Sequence, residues 1–215
     1  MGPSVGWLRR QDLNLHLMGS CQLSQNRRIQ MTDIFRFWAC VGPKDHMHPA
    51  DRDVLSRVKH DFDLKCLPGC FGGRLRTASV VLLYLSPGLS KEDPKEAKSK
   101  REQDYAKRKR SGNEPFRDYG PGYKWLISRT KCFGIDWEQI CSNVAVLNIG
   151  AYHSKGFRHH SLLAALPSSR ASIAWAQDVL FPQAIAGDKV VICLRAARIG
   201  GSKLARSLGS SLRRT

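Results

Sequence analysis

Three uninterrupted apolar runs dominate the hydrophobic pattern of the chain and predict buried β-strands. They cover residues 78–85, 143–148 and 189–194, and a turn or polar segment follows each of them. Short runs rich in Val, Ile and Leu are typical of strands that helices cover on both faces. Helical stretches separate the runs, which favours parallel strands joined by crossovers. The pattern therefore predicts an α/β fold, a three-layer sandwich whose central, mostly parallel sheet has about four strands flanked by helices.

Apolar residues spaced three or four apart predict the helices. Such spacing predicts a helix over 51–62, after the start signal Pro49-Ala50-Asp51, and another over 169–181. The stretch 137–141 is also amphipathic. Residues 68–73 are rich in Gly and Pro, and we expect a loop there. The face of the first helix is expected to carry Val54, Leu55, Val58 and Phe62.

Two segments stand apart from this alternation. Residues 1–30 are polar and rich in Arg, Gln and Asn, so we expect a disordered extension or a translation start placed too far upstream. Residues 31–215 are then one domain, with a basic, highly charged insertion at 91–111. In that insertion Ala97 and Tyr105 are the few packing residues. It is either a solvated helix or a basic arm that faces phosphate groups.

Charge is the property of the composition that restricts function most. The chain has 35 Lys and Arg against 18 Asp and Glu, a net charge of +17. An excess of this size indicates a polyanionic partner, and nucleic acid is favoured over a membrane surface because no strongly amphipathic basic helix is evident. Apolar residues make up 42% of the chain, yet no run is long enough to span a bilayer. We therefore expect a soluble, cytoplasmic monomer with no membrane partner, associated with the nucleoid if the protein is bacterial.

The seven cysteines do not form a recognisable ligand pattern. Buried free thiols are the expectation for a chain of this kind. A metal or an iron–sulfur cluster is the alternative, but the intervals of three and eight residues match no compact ligand motif. The cysteines that such a site would use are Cys66, Cys70, Cys132 and Cys141.

Ligands of open α/β sheets bind beyond the carboxyl ends of the strands, and here those ends carry polar, Pro and Gly residues. The first strand runs into Leu85-Ser86-Pro87-Gly88, the second ends in Asn148, and the third runs into Leu-Arg-Ala-Ala-Arg-Ile-Gly-Gly. A Gly-x-x-Pro-Phe motif lies at 112–116. We expect the three ends to converge on one cleft. These motifs, in this order over about residues 65–201, resemble the uracil-DNA glycosylase superfamily, particularly its single-strand-selective and mismatch-specific branches.

The resemblance implies a role for each motif in holding a flipped-out uracil. The loop Leu85–Gly88 approaches the base and sugar, Phe116 stacks on the ring, and Asn148 pairs with O4 and N3–H. The family has Asp, Asn or Ala before the Pro of this loop, where this chain has Ser86. A serine can orient water but carries no charge, so Asp93 is a substitute for the base. Tyr119 and Tyr123 are alternative stacking platforms.

The C-terminal region departs from the family pattern. The family's His-Pro-Ser-Pro-like loop, whose His stabilises the departing uracil anion, has no counterpart after Gly201. Either His153, at the end of another strand, supplies this group, or the protein binds without catalysis. Phosphate contacts are expected from the cations Lys107, Arg108, Arg195, Arg198 and Arg206.

The sequence thus predicts a monofunctional uracil-DNA glycosylase-like hydrolase, a base-excision repair enzyme. It would flip uracil out of DNA, single-stranded and in some contexts double-stranded, and leave an abasic site. The family's chemistry is electrostatic stabilisation of a leaving anion, which implies no metal and no organic cofactor. The alternatives are a non-catalytic nucleic-acid-binding module of the same fold, or a nucleotide-modifying enzyme. The second of these would need a Gly-rich phosphate loop or a cofactor fingerprint, and the chain has neither motif.

Overall fold

A four-stranded sheet forms the centre of the protein, which a computed structural model describes over residues 33–156 and 160–194. The strands are β1 (Phe71–Gly73), β2 (Val80–Tyr84), β3 (Val144–Asn148) and β4 (Val190–Leu194), in the order β1-β3-β2-β4. Strand β2 pairs in parallel with both β3 and β4, whereas β1 pairs antiparallel with β3. The predicted α/β sandwich is confirmed. The sheet is mixed rather than mostly parallel, because the short edge strand β1 runs the other way.

Helices cover both faces of the sheet. They are α1 (Ile34–Ala39), α2 (Arg52–Arg57), α3 (Asp93–Glu96), α4 (Lys100–Lys109), α5 (Gly120–Thr130), α6 (Trp137–Asn143), α7 (His160–Ala165), α8 (Pro167–Trp175) and α9 (Phe181–Ile185). Short 3₁₀ turns occupy Pro49–Asp51 and Lys131–Phe133, and a π-helical turn occupies Ala176–Leu180. No helix in the described ranges has the length and apolarity needed to cross a bilayer.

Alternation along the strands divides the buried residues between the two faces. In β3, Ala145 and Leu147 join a large hydrophobic cluster with α1, α7 and α8, and we call this side the large-core face. Val144 and Val146 point the other way, into a smaller cluster with Leu126 of α5, and this side is the small-core face. Asn148 follows with the same parity as Val146, so it belongs to the small-core face.

A buried carboxylate ties the helices of the large-core face together. Asp51, fully buried, accepts hydrogen bonds from Tyr152 Oη at 2.5 Å and from the backbone N–H of Ser168 at 2.9 Å. Tyr152 Oη in turn accepts a bond from the backbone N–H of His48. Buried polar groups are tolerated when they are hydrogen-bonded in this way. The network fixes the start of α8 against the loop that follows β3.

Two local predictions are wrong. The helix predicted over 51–62 ends at Arg57, because the chain turns extended at Val58, which is 45% exposed. Phe62 is buried in the core, but from an irregular segment rather than from a helix. The stretch 68–73, predicted as a loop, contains the strand β1. The predicted helix over 169–181 corresponds to α8 and the π-helical turn after it.

Candidate functional site

A cavity of about 180 Å³ opens at the carboxyl ends of β2 and β3, on the small-core face. We call it the strand-end cavity. Its walls come from the sheet, from the loops that follow β2 and β3, and from α3, α4 and α5. It is small compared with sites for drug-sized ligands, roughly 300–1,000 Å³. Five of the residues predicted for the site line it, namely Pro87, Asp93, Phe116, Asn148 and His153.

Asn148 ends β3 with its amide held in one orientation. Its Nδ2 donates to the backbone carbonyl of Gly69 at 2.6 Å, and its backbone N–H donates to the carbonyl of Cys70 at 2.9 Å. Because a carbonyl only accepts, this contact requires the NH₂ group on the Gly69 side. The Oδ1 atom and the second Nδ2 proton are left for a ligand. Asn148 is only 7% exposed, so these groups lie inside the cavity wall rather than in bulk water.

The loops after β2 and β3 run side by side and are bonded to each other. The N–H of Gly150 donates to the carbonyl of Leu85 at 2.7 Å, and Gly88 forms a parallel bridge with Ser154. The pairing of the two strands is thereby continued past their ends. As a result, Pro87 from one loop and His153 from the other line the same cavity.

The contacts of His153 fix a proton on one of its two ring nitrogens, Nδ1. Its Nδ1 lies 2.7 Å from the carbonyl oxygen of Gly88 and 3.7 Å from Oδ2 of Asp93. Since the carbonyl only accepts, Nδ1 carries a proton. The other nitrogen, Nε2, lies near Gly69, where an added Cβ would be 3.4 Å away from it. In the neutral ring Nε2 is a hydrogen-bond acceptor, and in the charged ring it is a hydrogen-bond donor.

Asp93 supports this arrangement as a carboxylate. Burial alone would raise the pKa of Asp93, but the nearby imidazole of His153 and the hydrogen bonds from Ser90 outweigh burial and lower that pKa below its ordinary value. The backbone N–H of Ser90 donates to Asp93 Oδ2 at 2.6 Å. The side chains of His153 and Asp93 are 17% and 15% exposed, so solvent screens the pair only partly. Asp93 thus places a negative charge beside the imidazole of His153.

The Phe116 ring packs closely against the backbone of the edge strand. A Cβ added to Gly72 or Gly73 would come within 2.9 Å or 2.6 Å of its ring. Only glycine leaves room for an aromatic ring to approach a strand this closely. The pair of glycines therefore positions the ring that the sequence predicts as a stacking platform. Tyr123, one of the alternative platforms, also lines the cavity, whereas Tyr119 lies outside it, beneath the guanidinium of Arg101.

Helix α4 contributes a wall that the sequence did not reveal as part of a site. Four of its residues line the cavity at the spacing i, i+3, i+4, i+7, which marks one face of a helix. They are Glu102, Tyr105, Ala106 and Lys109. Ser99 caps the start of this helix by accepting from the N–H of Glu102. The burial of Ala97 and Tyr105 confirms them as packing residues and excludes a fully solvated helix.

The two predicted phosphate contacts in α4 lie on its outer face. Lys107 and Arg108 are both exposed, and Arg108 Nε lies 2.9 Å from Glu114 Oε1. Arg108 borders a wider groove that shares Tyr105, Phe116 and Arg117 with the strand-end cavity. Both arginines and carboxylates line that groove, and α4 contributes Asp104 as well as Arg101 and Arg108. Helix α4 is therefore not a purely cationic arm. Arg195, Arg198 and Arg206 lie outside the described residues.

Leu85 and Ser86 do not line the cavity. Leu85 is buried in the cluster of the large-core face. Ser86 has its Cβ 3.8 Å from where a Cβ on Gly150 would lie, beside the loop that follows β3. Gly88 contributes through its backbone carbonyl, which binds His153. The residue predicted to position water is thus next to the cavity rather than in its wall.

The cysteines provide neither a ligand set nor an activated thiol. The six described cysteines are all free, and no cluster of three or more ligand-type side chains occurs in the described ranges. The four cysteines named for a metal or cluster are therefore not brought together as a ligand set in the described part of the chain. Burial raises the pKa of Cys66, which lines the cavity, to about 12, and that of Cys70 to about 11. Thiols with such pKa values are poor nucleophiles at neutral pH.

Comparison with known proteins adds no relative to this picture. No protein-family model matches the chain, and neither a curated protein nor a solved structure matches it. The function is therefore inferred from the residues of the strand-end cavity together with the sequence motifs.

Proposed function

We propose that the protein is a uracil-DNA glycosylase-like hydrolase that accepts a flipped-out uracil in the strand-end cavity and hydrolyses its N-glycosidic bond. One observation supports this function above others. An aromatic ring, an amide and an imidazole, predicted separately as Phe116, Asn148 and His153, line one cavity of about 180 Å³. They come from three segments that are distant in sequence, and together they supply stacking, base pairing and a proton donor.

Binding of uracil would use Phe116 and Asn148. Stacking of a base on an aromatic ring contributes about 1–3 kcal/mol. The free Oδ1 and the second Nδ2 proton of Asn148 match the N3–H donor and the O4 acceptor of uracil. Cytosine has an acceptor at N3 and an amino group at C4, so it would leave both amide groups of Asn148 unpaired. A buried mismatch of this kind is a strong basis for discrimination.

Departure of the base would use His153. The uracil anion develops negative charge on O2, and a charged imidazole with Nε2 toward the cavity can stabilise that charge. Asp93 would hold the ring and balance its charge, because its Oδ2 already accepts from Ser90 and lies near Nδ1 of His153. This role fits Asp93 better than that of the base which activates water. Ser86 could still orient water from its position beside the cavity.

The proposal is tested on a labelled single-stranded oligonucleotide that contains one deoxyuridine. The oligonucleotide is incubated with protein in EDTA and then treated with alkali, which cuts at abasic sites. We expect a cut with the wild type and a loss of rate of about 10²–10³-fold in Asn148→Ala, the range seen when one stabilising group is removed from an active site. Asn143→Ala is the matched control, because Asn143 is exposed on α6 and does not line the cavity.

A binding measurement on the same strand separates this function from its alternative. The position of Ser86 outside the cavity wall favours a non-catalytic binding module as the second candidate. Binding without any cut by the wild type would establish that module and overturn the glycosylase. A cut that Asn148→Ala leaves unchanged would contradict the assigned site.

A further inference from the structure

The amine of Lys109 is a functional group of the strand-end cavity that uracil hydrolysis does not use. Lys109 is the last residue of α4 and lies on the same face as Glu102, Tyr105 and Ala106. Its Nζ is 5.8 Å from the centre of the Tyr105 ring. The neighbouring Lys107 is exposed and does not line the cavity. Helical geometry therefore directs one lysine of the basic run into the cavity and leaves another on the surface.

The amine of Lys109 has no acidic partner among the described residues. Other groups pair with the carboxylates of α3 and α4 that line the same cavity: Arg117 with Glu96 and Glu102, and His153 with Asp93. Ammonium groups taken out of water are normally paired, because an unpaired buried charge costs free energy. A fold that leaves such a charge unpaired in a cavity has the pattern of a functional group rather than a stabilising one.

The surroundings of Lys109 lower the pKa of its amine. Burial is the main cause, Cys70 opposes the shift, and the positive charge of Arg110 adds to it. Desolvated lysines are the usual amine nucleophiles toward carbonyl carbon. The nearby thiols do not compete, since burial raises the pKa values of Cys66 and Cys70.

We propose that Lys109 attacks the aldehyde carbon of an abasic deoxyribose and cleaves the DNA strand on its 3′ side. In this step the amine nitrogen bonds to C1′ of the ring-opened sugar, the carbonyl oxygen leaves as water, and a protonated imine forms. A water molecule then takes a proton from C2′, a C2′–C3′ double bond forms, and the C3′–O bond breaks with its electron pair on the departing 5′-phosphate. A second water hydrolyses the imine and frees the amine of Lys109. No oxidant or reductant is needed. This lyase step rests on the proposed function, because base loss in the same cavity would produce the aldehyde.

The test uses an oligonucleotide whose abasic site has been prepared in advance, so that it does not depend on uracil excision. The full-length protein is incubated with it in the presence of borohydride, which reduces an imine to a stable covalent bond. We expect a cross-linked protein–DNA species with the wild type and with Lys131→Met, a control at an exposed lysine that does not line the cavity, and its loss in Lys109→Met. Lys109→Arg keeps the charge without a primary amine and should also lose the cross-link. Without borohydride, the wild type should cut the strand without alkali.

Folding of the variants is checked by their free energy of unfolding. Lys109→Met removes an unpaired charge and is expected to be at least as stable as the wild type. A cross-link that persists in Lys109→Met, or none in the wild type, would overturn the assignment of Lys109.

The experiments distinguish failure of the lyase proposal from failure of the glycosylase proposal. A deoxyuridine strand cut only after alkali supports hydrolysis without the lyase step, whereas trapping on the prepared abasic strand with deoxyuridine left intact supports the lyase step alone.

Discussion

The two faces of the sheet are built differently, and the difference explains where a site can form. Among the residues that the structure describes, twenty-four buried ones pack together on the large-core face, including Trp38, Phe71 and Leu163. In the same described part, five buried residues form the corresponding cluster on the small-core face, around Leu82 and Leu126. The small-core face therefore leaves space between the sheet and its helices, and the strand-end cavity occupies that space.

Polar groups are treated differently on the two faces as well. On the large-core face, the buried Asp51 has its hydrogen bonds satisfied by Tyr152 and Ser168. On the small-core face, Asn148 Oδ1 and the Lys109 amine have no hydrogen-bond partner among the described residues. The Asp51 network thus holds the fold, whereas Asn148 and Lys109 keep polar groups available at the strand-end cavity.

The largest expected effect comes from truncating a leucine on each face. Leu163→Ala on the large-core face should lower the free energy of unfolding by about 3–5 kcal/mol, because the dense cluster around it cannot collapse into the gap. Leu126→Ala should cost less, about 2–3 kcal/mol, because Leu126 borders the existing cavity. Urea denaturation measures both values. Equal losses would mean that the two faces are packed to the same density.

The next effect concerns the buried carboxylate. Asp51→Asn should cost about 2–3 kcal/mol, since hydrogen bonds to a charged group contribute roughly 1.5–3 kcal/mol and Asn cannot accept both in the same geometry. Asp53→Asn is the matched control, because Asp53 is exposed on α2. Thermal and urea unfolding report the difference. If the two variants lost similar stability, the network would not hold α8 as described.

A glycine pair tests how the edge strand supports the cavity. Gly73→Ala should cost more than Gly134→Ala, although φ is +74° and +66° at the two positions. Both substitutions should cost about 1–2 kcal/mol, because alanine is strained in left-handed backbone. Only at Gly73 would the new Cβ lie 2.7 Å from the carbonyl of Val144 and 2.6 Å from the Phe116 ring. We expect Gly73→Ala alone to weaken binding of a uracil-containing strand, measured by fluorescence anisotropy; unchanged binding would remove the support for Phe116 as the platform.

The smallest expected effect is the pH dependence of the Asp93–His153 pair. The pKa of Asp93 is lower in the folded protein than its ordinary value of 3.8, so the carboxylate stabilises the fold above that value. This contribution is lost as the pH falls through the folded pKa. The stability difference between wild type and Asp93→Asn should therefore be present at neutral pH and shrink at about pH 3. In Asp104→Asn, which alters an exposed pair with Lys100, the change should stay near 0.5 kcal/mol or less.

Strand prediction succeeded where burial on both faces left a continuous apolar run. β2, β3 and β4 lie inside the predicted ranges 78–85, 143–148 and 189–194, shortened by at most two residues at an end. β1 was missed because two of its three residues are glycine, and adjacent glycines predict a turn. It forms because β3 supplies its hydrogen bonds and the Phe116 ring covers its glycines, and both partners are distant in sequence.

The predicted residues that line the cavity are mainly those whose position follows from a strand end. Asn148 ends β3, His153 follows it, and the parallel pairing of β2 with β3 brings Pro87 beside them. Lys109 and Glu102 were not predicted as part of the site, because their place depends on how α4 lies against β1. The only sequence signal was their spacing with Tyr105 and Ala106, which marks one face of a helix. Because most residues of this helix are charged on every side, that face cannot be recognised from the sequence.

Helix α4 also bears on how the protein can change over evolutionary time. Its inner face lines the cavity, whereas Lys107 and Arg108 lie on its outer face. Substitutions on the outer face can tune attraction to a polyanion without reaching the cavity. Under the proposed function, selection can therefore change DNA affinity and reactivity as two separate traits, although a single helix of ten residues carries the residues for both.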